Sequence, residues 1–455
     1  MRRSSWIATV LLLLGLSLIG YGTVASSAPK RVAGPDQSPD RAVKATAAEP
    51  AAAKLDNFKL VGHTSLDGFQ DYGDLYAHGD YAYVGSRCGS EAQGGDGVQV
   101  VDISDPRHPR VVSTLPNPAF TRAEDLTVLD VRNKTFRGVL AVVGIQACFG
   151  SGHEAEVVPG LRFFDVTHPR HPVELGHWDT PQGTIGCHEL DAAQRADGTV
   201  LAACARNLID HIGTDGAVAI HLVDVTDPAK PELRADFTRN DAPEGGVGCL
   251  PFQFAHSARF YDRGQSLYVS YWDSGTVHLD ISKPAAPAVV STTKVLPRDE
   301  DGDQHSMTLA DRGRLLLVHT EDFSPGDCPD QPEFGAWGEV YVYDNRDQAH
   351  PAFLGTFSTP NGRSTRSDGT FTDHNTEVAN GNQLFSSWYS DGIVWWTANT
   401  KGSMRQIGQF TPPANADGSP PLVWGVFVDS EHDLILGSDI NSGLWIVKPK
   451  GLGRF

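Results

Sequence analysis

Four histidines of this chain lie in similar surroundings, each beside a short run in which apolar and polar residues alternate. They are His188 in CHELDA, His256 in AHSARF, His305 in QHSMTL and His374 in DHNTEV. Neutral imidazoles are common metal ligands, whereas protonated imidazoles held close together repel one another. Three or four histidines with one carboxylate suit Zn, Cu, Mn or Fe, with an open position toward solvent. The sequence therefore predicts a site for one transition-metal ion at these histidines.

Two acidic residues, Glu124 and Asp125, are the candidate oxygen donors for such a site. We expect Glu124 to be a metal ligand beside the histidines, and Asp125 to be a ligand-binding residue or a general base. A bound ion would lower the pKa of water and allow hydrolysis, or would serve as a redox centre for oxidation. In a simpler interpretation, one ancestral histidine was copied with its repeat, and the four only hydrogen-bond backbone groups or line a channel.

A repeated unit of strands must position these histidines. A short phrase recurs after an alternating apolar run that is typical of a half-buried strand, and a second short strand follows. A period of roughly 50–65 residues built only from strands indicates a β-propeller in which each copy is one blade. The Asp of each phrase is predicted to end its strand and accept backbone N–H groups of the next turn. The copies begin at Val101 (VDISDPRHP), Phe164 (FDVTHPRHP), Val223 (VDVTDPAKP) and Leu279 (LDISKPAAP), with partial copies at Tyr343 (YDNRDQAHP) and after Trp395 (WTANTKG).

The inner strands predict an all-β, seven-bladed propeller with four antiparallel strands per blade. The last blade lacks its outer strand, and the strand that begins at Phe58 is predicted to complete it, which closes the ring and removes exposed sheet edges. Aligning the inner strands places one residue per blade at the mouth of the channel. Histidine makes up 17 of 455 residues, so chance would place well under one histidine in these positions. The seven residues are Gly73, Glu124, His188, His256, His305, His374 and Trp424.

The repeated phrase, Asp-x-[Ser/Thr]-x-Pro-x-x-Pro after a strand rich in Val, Ile and Phe, resembles that of the LVIVD-repeat β-propeller family. Four copies match well, two match in part, and the resemblance spans about residues 58–450. It implies an exported, bacterial-type repeat protein with a seven-bladed scaffold. It implies no particular reaction, so the function has to be argued from the site.

The N-terminal region is predicted to direct export. Residues 1–28 are interpreted as a signal peptide, since Arg2 and Arg3 precede a long apolar run and then small residues. An uncleaved anchor is the alternative, and it would be the only contact with a membrane. Residues 29–56, rich in Ala and Pro, are predicted to be a disordered linker, and residues 57–455 the propeller. We expect a secreted or cell-surface, extracytoplasmic monomer.

The charge balance argues against a nucleic-acid partner. The chain carries 37 basic and 56 acidic residues, for a net charge of −19. Nucleic-acid binding needs a basic surface, and this chain is acidic.

Six cysteines in an exported chain indicate disulfides rather than free thiols. Their positions relative to the strands place all six on the face that carries the histidines, where disulfides would cross-link its loops. Cys88–Cys148 and Cys187–Cys204 are the favoured pairs, and a thiolate metal site is the rival interpretation. The six are Cys88, Cys148, Cys187, Cys204, Cys249 and Cys328.

Three tryptophans are predicted to contribute to a ligand-binding wall on the same face. Trp272 and Trp388 end second strands, and Trp424 occupies a position at the channel mouth. Two functional hypotheses follow. The first, which the sequence favours because the repeat resemblance implies no reaction, is a binding or scaffold module that recognises a protein, a glycan or a small molecule through its loop-rich histidine face. The second is a metal-dependent enzyme, either a lactonase-like hydrolase or an oxidase, with a histidine-ligated ion at the channel mouth.

Overall fold

The computed structural model describes residues 53–66, 71–88, 94–148, 151–180, 186–206, 220–239, 254–293, 302–323, 337–364 and 366–455. The predicted signal peptide and residues 29–52 of the predicted linker lie outside these ranges. Within them, no helix is both long and apolar enough to cross a membrane.

The described residues form short strands, with two single 3-10 turns at Glu154–Glu156 and Trp272–Ser274. The first fifteen strands are β1 Lys54–Asp56, β2 Phe58–Thr64, β3 Tyr72–His78, β4 Tyr81–Ser86, β5 Val98–Asp102, β6 Arg110–Leu115, β7 Thr121–Arg122, β8 Leu126–Arg132, β9 Arg137–Ala147, β10 Gly160–Asp165, β11 Val173–Asp179, β12 Leu190–Gln194, β13 Val200–Ala205, β14 Ile220–Asp224 and β15 Glu232–Phe237. The remaining strands are β16 Ala255–Tyr261, β17 Ser266–Tyr271, β18 Gly275–Asp280, β19 Ala288–Thr292, β20 Gln304–Ala310, β21 Leu315–Thr320, β22 Val340–Asp344, β23 Ala352–Phe357, β24 Thr376–Val378, β25 Gln383–Trp388, β26 Gly392–Ala398, β27 Met404–Thr411, β28 Val423–Asp429, β29 Leu434–Asp439 and β30 Gly443–Pro449.

These strands make seven antiparallel sheets, which confirms the predicted seven-bladed β-propeller. Blades 1, 3, 4 and 5 are β3–β6, β12–β15, β16–β19 and β20–β23. Blade 2 contains β8–β11, and the short β7 also pairs with β9. Blade 6 contains β24–β27, and blade 7 contains β28–β30 together with β2.

The first two described strands add to the outer edges of the last two blades. β2 pairs antiparallel with β30, with Phe58 opposite Pro449 and Thr64 opposite Leu444. Residues Lys54–Asp56, which the sequence assigns to the disordered linker, form β1 and pair with β27. They are ordered because the outermost strand of a blade offers a row of unpaired backbone groups.

The aspartates of the repeated phrase have the turn role that the sequence predicts. In each of the five copies with an Asp, one carboxylate oxygen accepts the backbone N–H two residues later, at 2.8–3.1 Å. This local bond stops the third strand and starts the turn into the fourth. The five residues are Asp102, Asp165, Asp224, Asp280 and Asp344.

The hydrophobic cores lie between neighbouring blades. Ala203 of blade 3, for example, packs with Val269 and Leu279 of blade 4 in one buried cluster. Strands β5 and β14 are buried along their whole length, whereas the outer strand β15 is largely exposed. Packing of this kind fixes the innermost strands, which carry the candidate site, around the axis.

Two disulfides confirm the favoured cysteine pairs. Cys88–Cys148 joins the ends of the second strands of blades 1 and 2, with Cα atoms 5.6 Å apart. Cys187–Cys204 joins two segments of blade 3, with Cα atoms 5.1 Å apart. The other two predicted disulfide cysteines, Cys249 and Cys328, lie outside the described residues.

Candidate functional site

The four predicted histidines lie side by side at one end of the innermost strands of blades 3 to 6. His256 and His305 are the second residues of β16 and β20, and His188 and His374 lie two residues before β12 and β24. The ring centroids of successive histidines are 4.5, 4.2 and 4.0 Å apart. None of the four is more than 4 % exposed. We call this group the histidine cluster.

The closest nitrogens of the cluster are the Nε2 atoms of His188 and His256, which are 3.1 Å apart. Two nitrogens bonded to one ion at about 2.0–2.1 Å would be separated by this distance at an angle near 100°. In the described part of the chain, both ring nitrogens of His374 and the Nδ1 of His256 have no hydrogen-bond partner. Unpaired buried polar atoms are costly, so these nitrogens fit a site that holds a further group.

Two carboxylates that the sequence analysis missed, Glu189 and Glu321, lie against the cluster. Glu189 Oε1 is 3.0 Å from the Nε2 of His305, and Glu321 Oε1 is 3.6 Å from the Nε2 of His374. Among the residues that the structure describes, three groups have ligand atoms that all lie within 4.8 Å of one another. They are His188 with Glu189 and His256, Glu189 with His305 and His374, and His256 with His305 and Glu321.

The predicted metal ligand Glu124 lies on the outer side of the cluster. Its Oε1 is 3.9 Å from the Nδ1 of His188, the nitrogen that faces away from His256, and its Oε2 pairs with Arg122 at 2.7 Å. Arg122 also approaches the same Nδ1 at 3.1 Å. Glu124 and Arg122 are therefore placed to orient His188, whereas Glu189 and Glu321 belong to the groups of close ligand atoms.

Asp125 hydrogen-bonds to the inner strands of two neighbouring blades. Its two carboxylate oxygens accept the backbone N–H groups of Leu126 and Leu190, each at 2.7 Å. Leu126 begins β8 and Leu190 begins β12, so the buried carboxylate ties the inner strands of blades 2 and 3 together.

Asp125 also lines a cavity of about 220 Å³ in the central channel. Inner strands of six blades contribute to its walls, and Glu189 lines it as well as contacting His305. The other charged residues of the wall include Arg259 and Glu377, which form an ion pair at 2.7 Å. The cavity is thus a polar space beneath the histidine cluster.

Two of the three predicted tryptophans contact the cluster. Trp272 lies 5.1 Å from His256 between ring centroids, and Trp424 lies 4.4 Å from His374. The guanidinium of Arg87 lies 4.6 Å from the centre of the Trp424 ring. Aromatic surface therefore borders both sides of the cluster.

Trp388 does not line the site, contrary to the prediction. Its side chain is fully buried between blades 5 and 6, and its indole N–H donates to the carbonyl oxygen of Phe371 at 2.6 Å. The next residue, Tyr389, reaches the cluster in its place. The Tyr389 ring centroid is 5.7 Å from that of His374, and its hydroxyl donates to Glu321.

Burial keeps three of the four histidines neutral. It holds the pKa values of His188, His256 and His374 well below the ordinary value, and neighbouring positive charge lowers them further. These three rings therefore have a free lone pair at neutral pH, which is the form that binds a metal.

His305 is the exception and carries a proton. Burial alone would lower the pKa of His305, but the carboxylates of Glu189 and Glu321 raise it to about 9. Its Nδ1–H donates to the carbonyl oxygen of His374 at 3.1 Å, while its Nε2 faces Glu189. Burial raises the pKa of Glu321 to about 7. The cluster thus contains one imidazolium–carboxylate pair and three neutral imidazoles.

Comparisons with known proteins agree with this fold. The LVIVD repeat matches residues 71–115 and 263–294. No curated protein matches the chain significantly. A periplasmic gluconolactonase of Pseudomonas aeruginosa superposes with a TM-score of 0.53 at 12 % identity, covering 86 % of this chain and 92 % of that one. A protein from Lactobacillus plantarum gives 0.52 at 11 % identity, covering 81 % and 89 %. Identities this low indicate a common fold alone. The chain is a seven-bladed β-propeller, and two of its segments match the LVIVD repeat.

Proposed function

We propose that this chain binds one transition-metal ion through His188, His256, His305 and His374, and that it is a metal-dependent enzyme acting on a small molecule. The observation that carries the proposal is the contact of four buried imidazoles, three of them neutral, with unpaired ring nitrogens among them. Zn, Cu, Mn and Fe suit such a nitrogen-rich set.

The carboxylates beside the cluster support catalysis. Carboxylates that contact metal-bound histidines orient the rings and raise their basicity, and Glu189 lies 3.7 Å from the Nδ1 of His256. A bound ion would polarise a substrate carbonyl as a Lewis acid. Glu321, hydrogen-bonded to Tyr389, would then hold or return a proton beside it.

The aromatic border and the burial of the cluster favour a small substrate. The rings next to the cluster belong to Trp272, Tyr389 and Trp424. Aromatic side chains around a few polar groups are typical of a site for a small molecule rather than for a macromolecule. Hydrolysis of a lactone or similar ester is the reaction to test first, by analogy with the gluconolactonase that shares the fold.

The two disulfides support an extracytoplasmic location, because such bonds persist in oxidising compartments. The export signal at residues 1–28 remains a prediction.

A binding module without turnover is the second candidate, and one observation favours it. The proton on His305 and the charge on Glu189 compensate one another at 3.0 Å, so part of the cluster is satisfied without an ion. In that case the histidines line the channel, and recognition occurs through the loop-rich face.

Metal analysis of protein purified without an affinity tag separates the two candidates. We expect near-stoichiometric Zn, Cu, Mn or Fe, which a His256→Ala/His374→Ala variant loses and a His108→Ala/His350→Ala variant retains. His108 and His350 are matched controls, since both lie in exposed turns of the repeated phrase. Protein that folds, contains no such metal and takes none up on dialysis would refute the enzyme proposal and leave the binding module.

A further inference from the structure

The segment that carries His188 is held by a disulfide as well as by backbone hydrogen bonds to the second strand of its blade. Cys187 and His188 precede β12, and Cys187 is bonded to Cys204 of β13. Two backbone hydrogen bonds flank this link, from His188 N–H to the Ala205 carbonyl and from Ala205 N–H to the Glu189 carbonyl, both at 2.9 Å. The disulfide therefore fixes this short segment against the second strand of its blade.

Two candidate ligands follow the bonded cysteine directly. The Nε2 of His188 is 3.1 Å from that of His256, and Glu189 Oε1 is 3.0 Å from His305. A displacement of the segment would move both groups at once. Metal affinity is sensitive to such displacement, because ligands must be held within about 0.5 Å of their working positions.

The second disulfide adjoins Arg87, which contacts Trp424, and not a candidate ligand. Cys88 and Cys148 join blades 1 and 2, and neither cysteine is next to one of the four histidines, Glu189 or Glu321. Cys148 is buried, as are both cysteines of the blade 3 disulfide. The chain thus contains its own control for the general effect of losing a disulfide.

We propose that the Cys187–Cys204 disulfide positions His188 and Glu189, so that the chain acquires its metal only after this bond has formed. The inference rests on the metal site proposed above. In the oxidation step the two thiols form one S–S bond, and two electrons and two protons pass to a disulfide oxidant, which becomes a dithiol. Oxidation in the export compartment would then precede tight metal binding, and the reduced chain would bind the ion about tenfold or more weakly.

The test compares two double variants of the full chain, Cys187→Ala/Cys204→Ala and Cys88→Ala/Cys148→Ala. Affinity for Co²⁺ or Zn²⁺ is measured by competition with a chelator, at a temperature far below the thermal midpoint of each protein. Loss of a group that orients a ligand typically weakens metal binding about 10–100-fold. We therefore expect a loss of about tenfold or more in the first variant and less than about threefold in the second.

The Co²⁺ absorption spectrum distinguishes positioning from stability. A disulfide that only stabilises the fold would lower the thermal midpoint in both variants and leave the affinity and the spectrum unchanged, and that result would overturn the inference. If the first variant does not fold, Cys187→Ala/Cys204→Val, which refills the buried space, is measured in its place. Wild-type protein that binds neither ion would overturn the proposed metal site itself, whereas equal affinity in all three proteins overturns only the role of the disulfide.

Discussion

Replacing Glu189 by Gln tests the electrostatic balance of the cluster with almost no change of shape. The carboxylate of Glu189 lies 3.0 Å from the protonated Nε2 of His305, and both side chains are buried. Glutamine retains the size and a hydrogen-bond acceptor but removes the charge. Any change in the titration of His305 therefore reports the charge of Glu189.

The expected magnitude follows from the geometry. Two unit charges 3.0 Å apart attract one another by about 5–6 kcal/mol at an effective dielectric constant near 20. Burial of the imidazolium offsets part of this, and the pKa of His305, about 9 against an ordinary 6.5, corresponds to a net gain of about 3 kcal/mol. Without the charge, the pKa of His305 should fall to its ordinary value or lower.

The sign of the effect on stability follows from linkage. The pKa of His305 is raised in the folded state. Its protonation therefore contributes fully to the free energy of unfolding below pH 6.5, and this contribution disappears as the pH rises through about 9. Glu189→Gln should therefore destabilise metal-free protein by about 3 kcal/mol at pH 6, and by much less at pH 10.

Two measurements check this prediction. Histidine ring signals followed by NMR against pH give the pKa of His305, and urea unfolding at pH 6 and pH 10 gives the free energy of unfolding. A Glu174→Gln variant is the control, since Glu174 lies on the outer strand β11 of blade 2 and pairs there with Arg162. If His305 still titrates near 9 in Glu189→Gln, the carboxylate is not the cause of its raised pKa, and the argument fails.

Three further outcomes follow from the same contacts. Metal affinity should rise about tenfold per pH unit up to about pH 9, because His305 must release its proton before it binds an ion; calorimetric titration from pH 6 to 9 measures this. Trp388→Ala should cost about 3–5 kcal/mol in urea unfolding without changing the metal content, because Trp388 is a fully buried core residue. Asp125→Ala should cost about 2–4 kcal/mol, since it leaves the N–H groups of Leu126 and Leu190 unpaired; an Asp130→Ala control should cost little.

The sequence predicts the propeller because its signals are local and repeated. Alternating residues form each strand, and the Asp of each phrase bonds a backbone N–H only two residues away, as at Asp165 and Asp280. The cysteine pairs Cys88–Cys148 and Cys187–Cys204 follow from the same strand positions. Each of these features depends on neighbours within one blade or the next.

The alternation of side chains along a strand also explains why the sequence placed the four histidines correctly at one site but placed Trp388 there wrongly. Successive side chains of a strand point to opposite faces, so an error of one residue exchanges core and site. Trp388 is the last residue of β25 and faces the core, whereas Tyr389 turns toward the cluster with a φ of +37°. The residue types at positions 388 and 389 do not indicate that change of backbone direction.

The carboxylates were missed for a different reason. Glu189 follows His188 directly, and in a regular strand these two side chains would point to opposite faces. Both residues, however, precede β12, so the alternation does not apply to them. Glu321 follows the second strand of blade 5 and reaches the cluster from outside the inner ring. Both contacts depend on the packing of blades around the axis, which local patterns do not encode.

If the cluster binds an ion as proposed, the ion would replace the proton of His305. A proton binds one nitrogen, whereas an ion can use the neutral imidazoles of His188, His256 and His374 at the same time. At equal distance, the attraction of Glu189 is twice as large for a divalent ion as for the proton, but the cost of removing the ion from water rises more steeply with its charge. The bonds to the imidazoles would have to supply the difference. The pair that satisfies the cluster without a metal is therefore also the pair that would hold a metal in place, because the ion replaces the proton without requiring new acidic partners.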